Sequence, residues 1–416
     1  MGRKVVFSVL ACLLPALLVF GAAAGAQTTV RVATYSLPRF ELMRDHLLPV
    51  WQEKYPDIQV ELELHTSTAD QLSKVMLTMA TDVAPDVIDT AGTLLFSYVV
   101  NNGVVDVAPY LERDGLTDEW FPHTLDEVRY PFETGTGLYG LPYDWVGGVL
   151  VYNTDLFDQT GMVYPDPTWT WEDVRIAARR LTQDTDGDGV PDVWGFHVQE
   201  LGNVPFDPVV RAHGGSILTP DRKAAAINSP AAAQVLELFY GMVNEDRSTG
   251  FRQGANLFAL GRVAMEVVGS WTIRNVDNQG TNYGVTTVPA GPAGRSAYGG
   301  SNVWAVIKRP GQDMEAVWTI VKELVSYDTL RLISNEYGLP ARRALIPDWE
   351  LTKVNQALME STPYMFHGEW TPDWSTWQIA KRAELDPAVQ GARPIPEALE
   401  RAEAAINRVL AEAYPQ

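Results

Sequence analysis

The sequence predicts an α/β protein with two lobes. Short apolar strands alternate with amphipathic helices between residues 29 and 101, which is typical of parallel sheets covered by helices. About 390 residues follow the predicted leader, more than one hydrophobic core usually organises. No repeat of solenoid length and no low-complexity linker interrupts the pattern.

The individual elements follow from apolar periodicity and from the residues that start and stop helices. Strands are predicted at 29–35, 58–64, 85–89, 141–153, 193–198 and 263–268. Helices are predicted at 40–55, 68–81, 171–181, 231–244, 314–326 and 396–413, with a further one ending at Asn101. Thr170 is expected to cap the helix 171–181, with Asp173 completing a capping-box variant. Gly147 and Gly148 offer a bend between the two lobes.

The N-terminus resembles an export signal. Two basic residues precede an apolar run at 5–20, and small residues lead up to Ala26. We therefore predict a signal peptide at 1–26 and an exported protein, periplasmic or extracellular. Lipid anchoring through Cys12 is less favoured, because the residues after it stay apolar. Cys12 is the only cysteine, so the mature chain would have no disulfide, catalytic thiol or cysteine metal site.

Acidic residues dominate the charge. Without residues 1–26, 30 Lys and Arg face 52 Asp and Glu, a formal charge of −22. Such a surface repels nucleic acid and anionic lipid, so neither is an expected partner. The 13 Trp and 16 Tyr are unusual, and several lie beside Gly, Pro, Asp and Ser, where a core role explains them less well.

Residues 184–192 concentrate carboxylates in a glycine-rich loop. Its acidic residues are Asp184, Asp186, Asp188 and Asp192. Oxygen ligands at this spacing suit calcium and match the first half of an EF-hand loop, but Gly195 stands where that loop needs a bidentate Glu. Two interpretations remain open: a structural calcium site, or a surface loop whose Asp side chains solvate a turn.

Other motifs are weak. The segment 135–140 fits G-x-G-x-x-G, but an extended stretch follows it instead of a helix, so we predict a hairpin turn there. No phosphate-binding loop, zinc-protease motif or nucleophile elbow is present, and the six His lack ligand spacing.

The trio Tyr143, Asp144 and Trp145 is the strongest candidate for ligand chemistry. Asp144 could be one partner of a glycosidase acid–base pair, but no second carboxylate has a comparable context. The trio is explained more simply as a sugar-contact cluster, because aromatic rings stack on sugars and a carboxylate accepts hydroxyl donors. Aromatic residues in loops near predicted strand ends support this, since α/β folds bind ligands there. They are Trp271, Trp370, Trp374 and Trp377.

Several segments, each weak alone, form a strong pattern through their order and spacing. They are 55–60, 84–87, 140–143, 152–157, 168–173, 184–196, 214–215, 264–271 and 337–342. In these segments the chain resembles the extracellular solute-binding proteins of bacterial ABC importers, in the carbohydrate-binding branch related to maltose-binding protein. The resemblance covers essentially all of the predicted mature chain.

This resemblance implies a two-lobed fold in which each lobe is a sheet flanked by helices, with a hinge and a ligand cleft between them. It implies a first lobe of 27–146 plus 303–340 and a second lobe of 147–302 plus 341–416. By similarity of position, it implies ligand contacts at Ser36, Arg39, Thr90, Thr93, Tyr143, Asp144, Trp145, Asn203, Phe206, Trp271, Gly300, Ser301, Asn302, Arg342, and Trp370 or Trp374. Some relatives carry an acidic and a basic residue at 91–94, where this chain is uncharged.

The function that the resemblance implies is capture of a sugar, without catalysis and without a required cofactor. The expected partners are a carbohydrate and an ABC permease in the cytoplasmic membrane, and the expected state is a monomer. Two alternatives remain open: a secreted carbohydrate-active enzyme, or the same fold binding a polyol phosphate or a peptide. An anionic ligand would need more convergent basic side chains than Arg39 and Arg342.

Overall fold

A computed structural model describes residues 27–413, except 133, 255, 334–337 and 349–350. The predicted signal peptide and Cys12 lie outside the described residues. Within the described part of the chain, no helix combines the length and the apolar character that a membrane span requires.

The described residues form thirteen β-strands. They are β1 (Thr28–Thr34), β2 (Ile58–Leu64), β3 (Val87–Ala91), β4 (Arg129–Tyr130), β5 (Gly137–Leu138), β6 (Leu141–Asn153), β7 (Trp194–Val198), β8 (Thr249–Phe251), β9 (Val263–Gly269), β10 (Tyr283–Thr286), β11 (Ala297–Val306), β12 (Leu339–Pro340) and β13 (Met365–His367).

Sixteen α-helices accompany these strands in the described ranges. They are α1 (Leu37–Leu42), α2 (Leu48–Lys54), α3 (Thr68–Thr78), α4 (Gly92–Val100), α5 (Ala108–Arg113), α6 (Pro122–Asp126), α7 (Thr154–Thr160), α8 (Trp171–Leu181), α9 (Asp207–Ala212), α10 (Pro230–Tyr240), α11 (Ile273–Gln279), α12 (Met314–Leu324), α13 (Tyr327–Ile333), α14 (Lys353–Ser361), α15 (Trp374–Val389) and α16 (Ile395–Ala413). A π-helical segment (Met43–Leu47) joins α1 to α2, and another (Gly241–Glu245) extends α10.

The predicted α/β class is confirmed. The strand predicted at 141–153 has those bounds, and the helix predicted at 68–81 ends at Thr78. The predicted cap of α8 is present: Thr170 Oγ1 accepts from the amide of Asp173 at 3.3 Å, and Asp173 Oδ2 accepts from the amide of Thr170 at 2.8 Å. The glycine motif at 135–140 does not begin a nucleotide site, because it lies in the hairpin of β4 and β5.

One long strand connects the two parts of the sheet, whose order is β2-β1-β3-β11-β6-β9-β7-β8. β1 pairs in parallel with β2 and β3, as the alternation of strands and helices predicts. The first half of β6 pairs antiparallel with β11 as far as Gly147. The second half pairs with β9 from Gly148 onward. β6 therefore changes partners at the two adjacent glycines.

Two large cores lie on either side of this change of partners. The first includes Ile88 on β3 and Trp304 on β11, and the second includes Phe196 on β7 and Leu385 on α15. Burying side chains of this size stabilises each core by roughly 1.5–3 kcal/mol per residue. The predicted lobe ranges remain a prediction. Ala341, Leu345 and Trp370, which those ranges assign to the second lobe, pack into the first core.

The tight packing at Gly147 leads to a stability prediction. A Cβ at Gly147 would lie 2.8 Å from the carbonyl oxygen of Tyr298 and 2.4 Å from Met365 Cε. We expect Gly147→Ala to lower the free energy of unfolding by about 1–3 kcal/mol, because the neighbouring strand must move. Chemical denaturation measures this change. Gly148→Ala is the matched control, since its Cβ would meet nothing closer than 3.5 Å, and an equal loss in both variants would contradict the packing argument.

Candidate functional site

A cleft of about 720 Å³ lies where β1 and β3 end, beside the crossing strands β6 and β11. Ligands of α/β folds bind at this end of parallel strands. Nine of the predicted contact residues line it. They are Ser36, Arg39, Thr93, Asn203, Trp271, Gly300, Ser301, Asn302 and Trp374.

The cleft also contains residues that sequence reasoning did not identify. They are Tyr35, Pro38, Leu42, Thr68, Ala91, Gly92, Val146, Arg274, Tyr298 and Leu332. Tyr35 could have been found, since it directly precedes Ser36 at the end of β1. Tyr298 on β11 lies two residues before the predicted contact Gly300, so its position near the site was also indicated, although its orientation toward the cleft was not.

Aromatic rings form one wall of the cleft. Trp271 is 42% exposed, and its ring meets that of Tyr298 edge-on with centroids 6.0 Å apart. Trp374 is partly buried nearby, and its Nε1 has no hydrogen-bond partner among the described residues. The same holds for the buried Oγ of Ser301. Buried polar atoms usually have a hydrogen-bond partner. Because Trp374 Nε1 and Ser301 Oγ have none within the described protein, both can bond a ligand.

Beneath the cleft, Asp89 is fully buried and collects three side-chain donors. Its carboxylate accepts from Thr34 Oγ1 at 2.6 Å and from Tyr143 Oη at 2.7 Å, and it forms an ion pair with Arg39. The Arg39 guanidinium also lies 4.7 Å from the ring centroid of Tyr143. A buried charge needs such partners, so Tyr143, a predicted ligand contact, supports Asp89 and does not line the cleft.

Asp144 is also below the surface and does not line the cleft. It is 2% exposed, and its carboxylate accepts from the backbone N of Asn302 at 2.9 Å and from Asn302 Nδ2 at 3.0 Å. Asn302 Oδ1 accepts from Tyr35 Oη at 3.1 Å. Burial raises the pKa of Asp144 to about 6, although the hydrogen bonds from Asn302 and the charge of Arg39 oppose this. Asp144 therefore does not line the cleft but bonds Asn302, which does.

Trp370 lies behind the cleft floor. A Cβ at Gly92 or at Gly300 would come within 2.7 Å of its indole ring. These two glycines line the cleft, so the indole forms the layer directly beneath them. Trp370 therefore does not line the cleft, because its ring packs into the first core, whereas its predicted alternative Trp374 does line it.

The remaining predicted contacts serve packing elsewhere. Trp145 is buried and donates from Nε1 to Met365 Sδ at 2.8 Å. Phe206 is fully buried in the second core, and Thr90 is buried on β3. Arg342 forms an ion pair with Glu119 and lies over the ring of Trp120, with 4.9 Å to its centroid. None of these four residues lines the cleft.

The acidic loop brings together three of its four predicted ligands. Ligand oxygens of Asp184, Asp186 and Asp188 all lie within 4.8 Å of one another, and all three residues are exposed. Backbone amides of Gly187 and Gly189 donate to Asp184. Asp192 lies outside this group and accepts from Thr185. Three close carboxylates fit a hard cation, and calcium binding here remains a prediction.

Comparison with known families identifies the chain. The family model described as bacterial extracellular solute-binding protein matches residues 41–330, which is more than half of the sequence. The chain belongs to this family. The resemblance to extracellular solute-binding proteins inferred from the sequence segments is thereby confirmed.

Curated relatives of this solute-binding protein are distant. This chain is 24% identical over 241 residues to the putative binding protein BAB2_0491 of Brucella abortus. The match covers 55% of this chain and 56% of the relative. The chain is also 24% identical over 243 residues to the sn-glycerol-3-phosphate-binding periplasmic protein UgpB of Rhizobium meliloti, covering 55% and 54%. The match thus spans about half the length of these relatives.

A solved structure supports the fold of this solute-binding protein. The ABC substrate-binding protein Lmo0181 from Listeria monocytogenes, in complex with cycloalternan, superposes with a TM-score of 0.80 at 23% identity. The superposition covers 92% of this chain and 99% of that one. At this identity the likeness shows the fold alone, which confirms the predicted two-lobed architecture.

The geometry of the acidic loop yields a prediction about calcium. Calcium should raise the melting temperature by a few degrees, because it binds the ordered loop and relieves the repulsion among three carboxylates. Differential scanning calorimetry with calcium and with EDTA measures the shift. Asp186→Asn should abolish it, whereas Asp221→Asn, at another exposed acidic residue, should not. An equal calcium response in both variants would show that the cation binds elsewhere.

Proposed function

We propose that the protein is the substrate-binding subunit of an ABC transporter that captures a mono- or oligosaccharide outside the cytoplasmic membrane and delivers it to a permease. Membership of the solute-binding family supports the transport role. The observation that carries the sugar assignment is the aromatic wall of the cleft, with Trp271 exposed beside the ring of Tyr298. Aromatic faces stack on the apolar faces of sugars.

The polar groups at the cleft support a neutral, hydroxyl-rich ligand. Thr93, Asn203 and Asn302 line the cleft and can exchange hydrogen bonds with hydroxyl groups. Arg39 is held by the buried Asp89, so its charge is compensated within the protein. Binding of cycloalternan by the superposable Listeria protein is consistent with this assignment.

A polyol phosphate is the second candidate, because one relative is named as an sn-glycerol-3-phosphate-binding protein. A phosphate is usually held by several converging basic side chains. Arg274 lines the cleft, but Arg39 is paired with Asp89 and Arg342 is paired with Glu119 outside the cleft. This arrangement favours the sugar.

The enzyme alternative finds little support in the cleft. Glycosidases need two carboxyl groups facing the bond that is cleaved. Among the described residues that line the cleft, none is Asp, Glu or His. The buried Asp89 and Asp144 already accept hydrogen bonds from protein donors. We therefore propose binding without turnover.

A ligand screen tests the proposed function. Maltose, maltotriose, tagatose and sn-glycerol 3-phosphate are each added to the protein without its first 26 residues, and the melting temperature is measured against concentration. A binding protein should show a saturable rise with at least one sugar. Chromatography of the incubated sugars should show no products. A saturable shift with sn-glycerol 3-phosphate alone, or sugar cleavage, would overturn the proposal.

The aromatic wall can be tested directly. Trp271→Ala should weaken binding of the best sugar from that screen by tenfold or more, since an exposed stacking ring is lost, and should leave the melting temperature of the free protein nearly unchanged. Isothermal titration calorimetry measures the affinity. Tyr164→Ala, which removes a partly exposed ring outside the cleft, is the control. Unchanged affinity in Trp271→Ala would refute the role of this wall.

A further inference from the structure

The side-chain amide of Asn302 is held in one orientation at the cleft. Its Nδ2 donates to both carboxylate oxygens of Asp144, at 3.0 Å each, and its Oδ1 accepts from Tyr35 Oη at 3.1 Å. Asn302 and Tyr35 line the cleft, whereas Asp144 is buried behind them. The amide is thus fixed from both ends.

This orientation follows from which groups can donate. An ionised carboxylate only accepts hydrogen bonds, so Asp144 must face the NH₂ group of Asn302 and not its oxygen. Tyr35 gives its single hydroxyl hydrogen to Asn302 Oδ1. Tyr35 Oη also has a hydrogen bond from Arg39. The polar atoms that the two residues leave for a ligand therefore include one lone pair of Asn302 Oδ1 and one of Tyr35 Oη.

We propose that Asp144 is a positioning residue that fixes the amide of Asn302, so that Asn302 Oδ1 is held as an acceptor beside Tyr35 at the edge of the cleft and favours ligands with hydroxyl donors. This rests on the proposed function and specifies its ligand chemistry. A site that accepts from a ligand hydroxyl strongly disfavours an analogue without that donor, because its buried acceptors then stay unpaired.

The same edge disfavours phosphate. A phosphate dianion offers acceptor oxygens and negative charge, so it would face acceptors at this edge. Asp144 and Asp89 lie behind the edge, and Arg39 is already paired with Asp89. A sugar hydroxyl, in contrast, can donate to Asn302 Oδ1 and keep every partner satisfied.

The arrangement has a pH signature. The charged and titratable groups facing Asp144 are Asp89 on β3, Arg39 on α1, Tyr143 on β6 and Tyr35 after β1, while β12 contributes only Pro340 opposite it. Burial raises the pKa of both tyrosines, so they keep their hydrogens across the neutral range. Asp144, with a pKa of about 6, gains a hydrogen in mild acid. It can then donate to Oδ1 of the amide, and the orientation of Asn302 is no longer fixed.

A ligand-free measurement tests the positioning role. The side-chain amide signals of Asn302 in ¹⁵N-labelled protein, assigned by their loss in Asn302→Asp, are followed by NMR from pH 8 to pH 5. They should titrate with a midpoint near 6 in the wild type and stay constant in Asp144→Asn. The proposal would be overturned if the Asn302 amide signals of the wild type did not change with pH, or if they titrated equally in Asp144→Asn. This conclusion does not depend on the identity of the ligand.

Calorimetry tests the effect on ligand choice, with maltotriose and sn-glycerol 3-phosphate as probes at pH 7.5. Asp144→Asn should weaken maltotriose binding tenfold or more, because the new amide can donate to Asn302 Oδ1 and allow the amide to turn. Asp386→Asn is the control: it neutralises another buried carboxylate, paired with Arg252 away from the cleft, and should bind like the wild type. Wild-type affinity in Asp144→Asn, or tighter binding of the phosphate than of maltotriose, would overturn the selection argument.

A pH series on the wild-type protein tests the same role of Asp144 and does not depend on whether a variant folds. Its affinity for maltotriose should be constant between pH 7 and pH 8 and fall as pH drops through about 6. Constant affinity down to pH 5 would contradict the role of Asp144. If no sugar binds at all, the proposed function fails, and the amide titration still decides whether Asp144 positions Asn302.

Discussion

The long strand β6 is the element on which both halves of the molecule depend. It pairs with β11 up to Gly147 and with β9 from Gly148, so one continuous backbone belongs to both parts of the sheet. Hydrogen-bond ladders hold the strand on each side of this point, so we expect any relative motion of the two cores to occur where the partners change. The cleft opens at the same place, with Val146 on its wall. The change of pairing partner and the cleft thus lie at the same point of the strand.

A second constraint is the burial of charge beneath the cleft. Asp89 on β3 and Asp144 on β6 lie on the two strands that flank β11, and each accepts hydrogen bonds from protein donors. A buried carboxylate without such donors would be costly. Both carboxylates are therefore engaged below the surface, and the described cleft lining contains hydroxyl, amide, aromatic and aliphatic groups with two arginines, but no carboxylate.

Local patterns along the chain predicted the fold class and several long elements, but not β11 or α15. The extended stretch predicted at 141–153 matches β6 to the residue, and the Thr170–Asp173 pair identified the start of α8. The site was predicted less completely, because a cleft depends on distant segments meeting. Tyr298 and Arg274 were missed although each lies within three residues of a predicted contact, because the sequence alone does not show which neighbouring side chains face the cleft. Trp370 was overinterpreted because an indole beside Gly and Pro looks like a ligand platform, and only the fold shows the glycines lying over it.

The position of Trp370 affects the depth of the cleft and therefore the size of ligand that fits it. Its ring lies immediately under Gly92 and Gly300, so the depth of the cavity is set by a side chain that a ligand in the cleft would not touch. If a smaller residue replaced this indole, the backbone at Gly92 and Gly300 would have room to move inward. The cleft would become deeper, while the residues that line it stayed the same. Two proteins with identical contact residues could therefore accept saccharides of different length, and a comparison limited to contact residues would not reveal the difference.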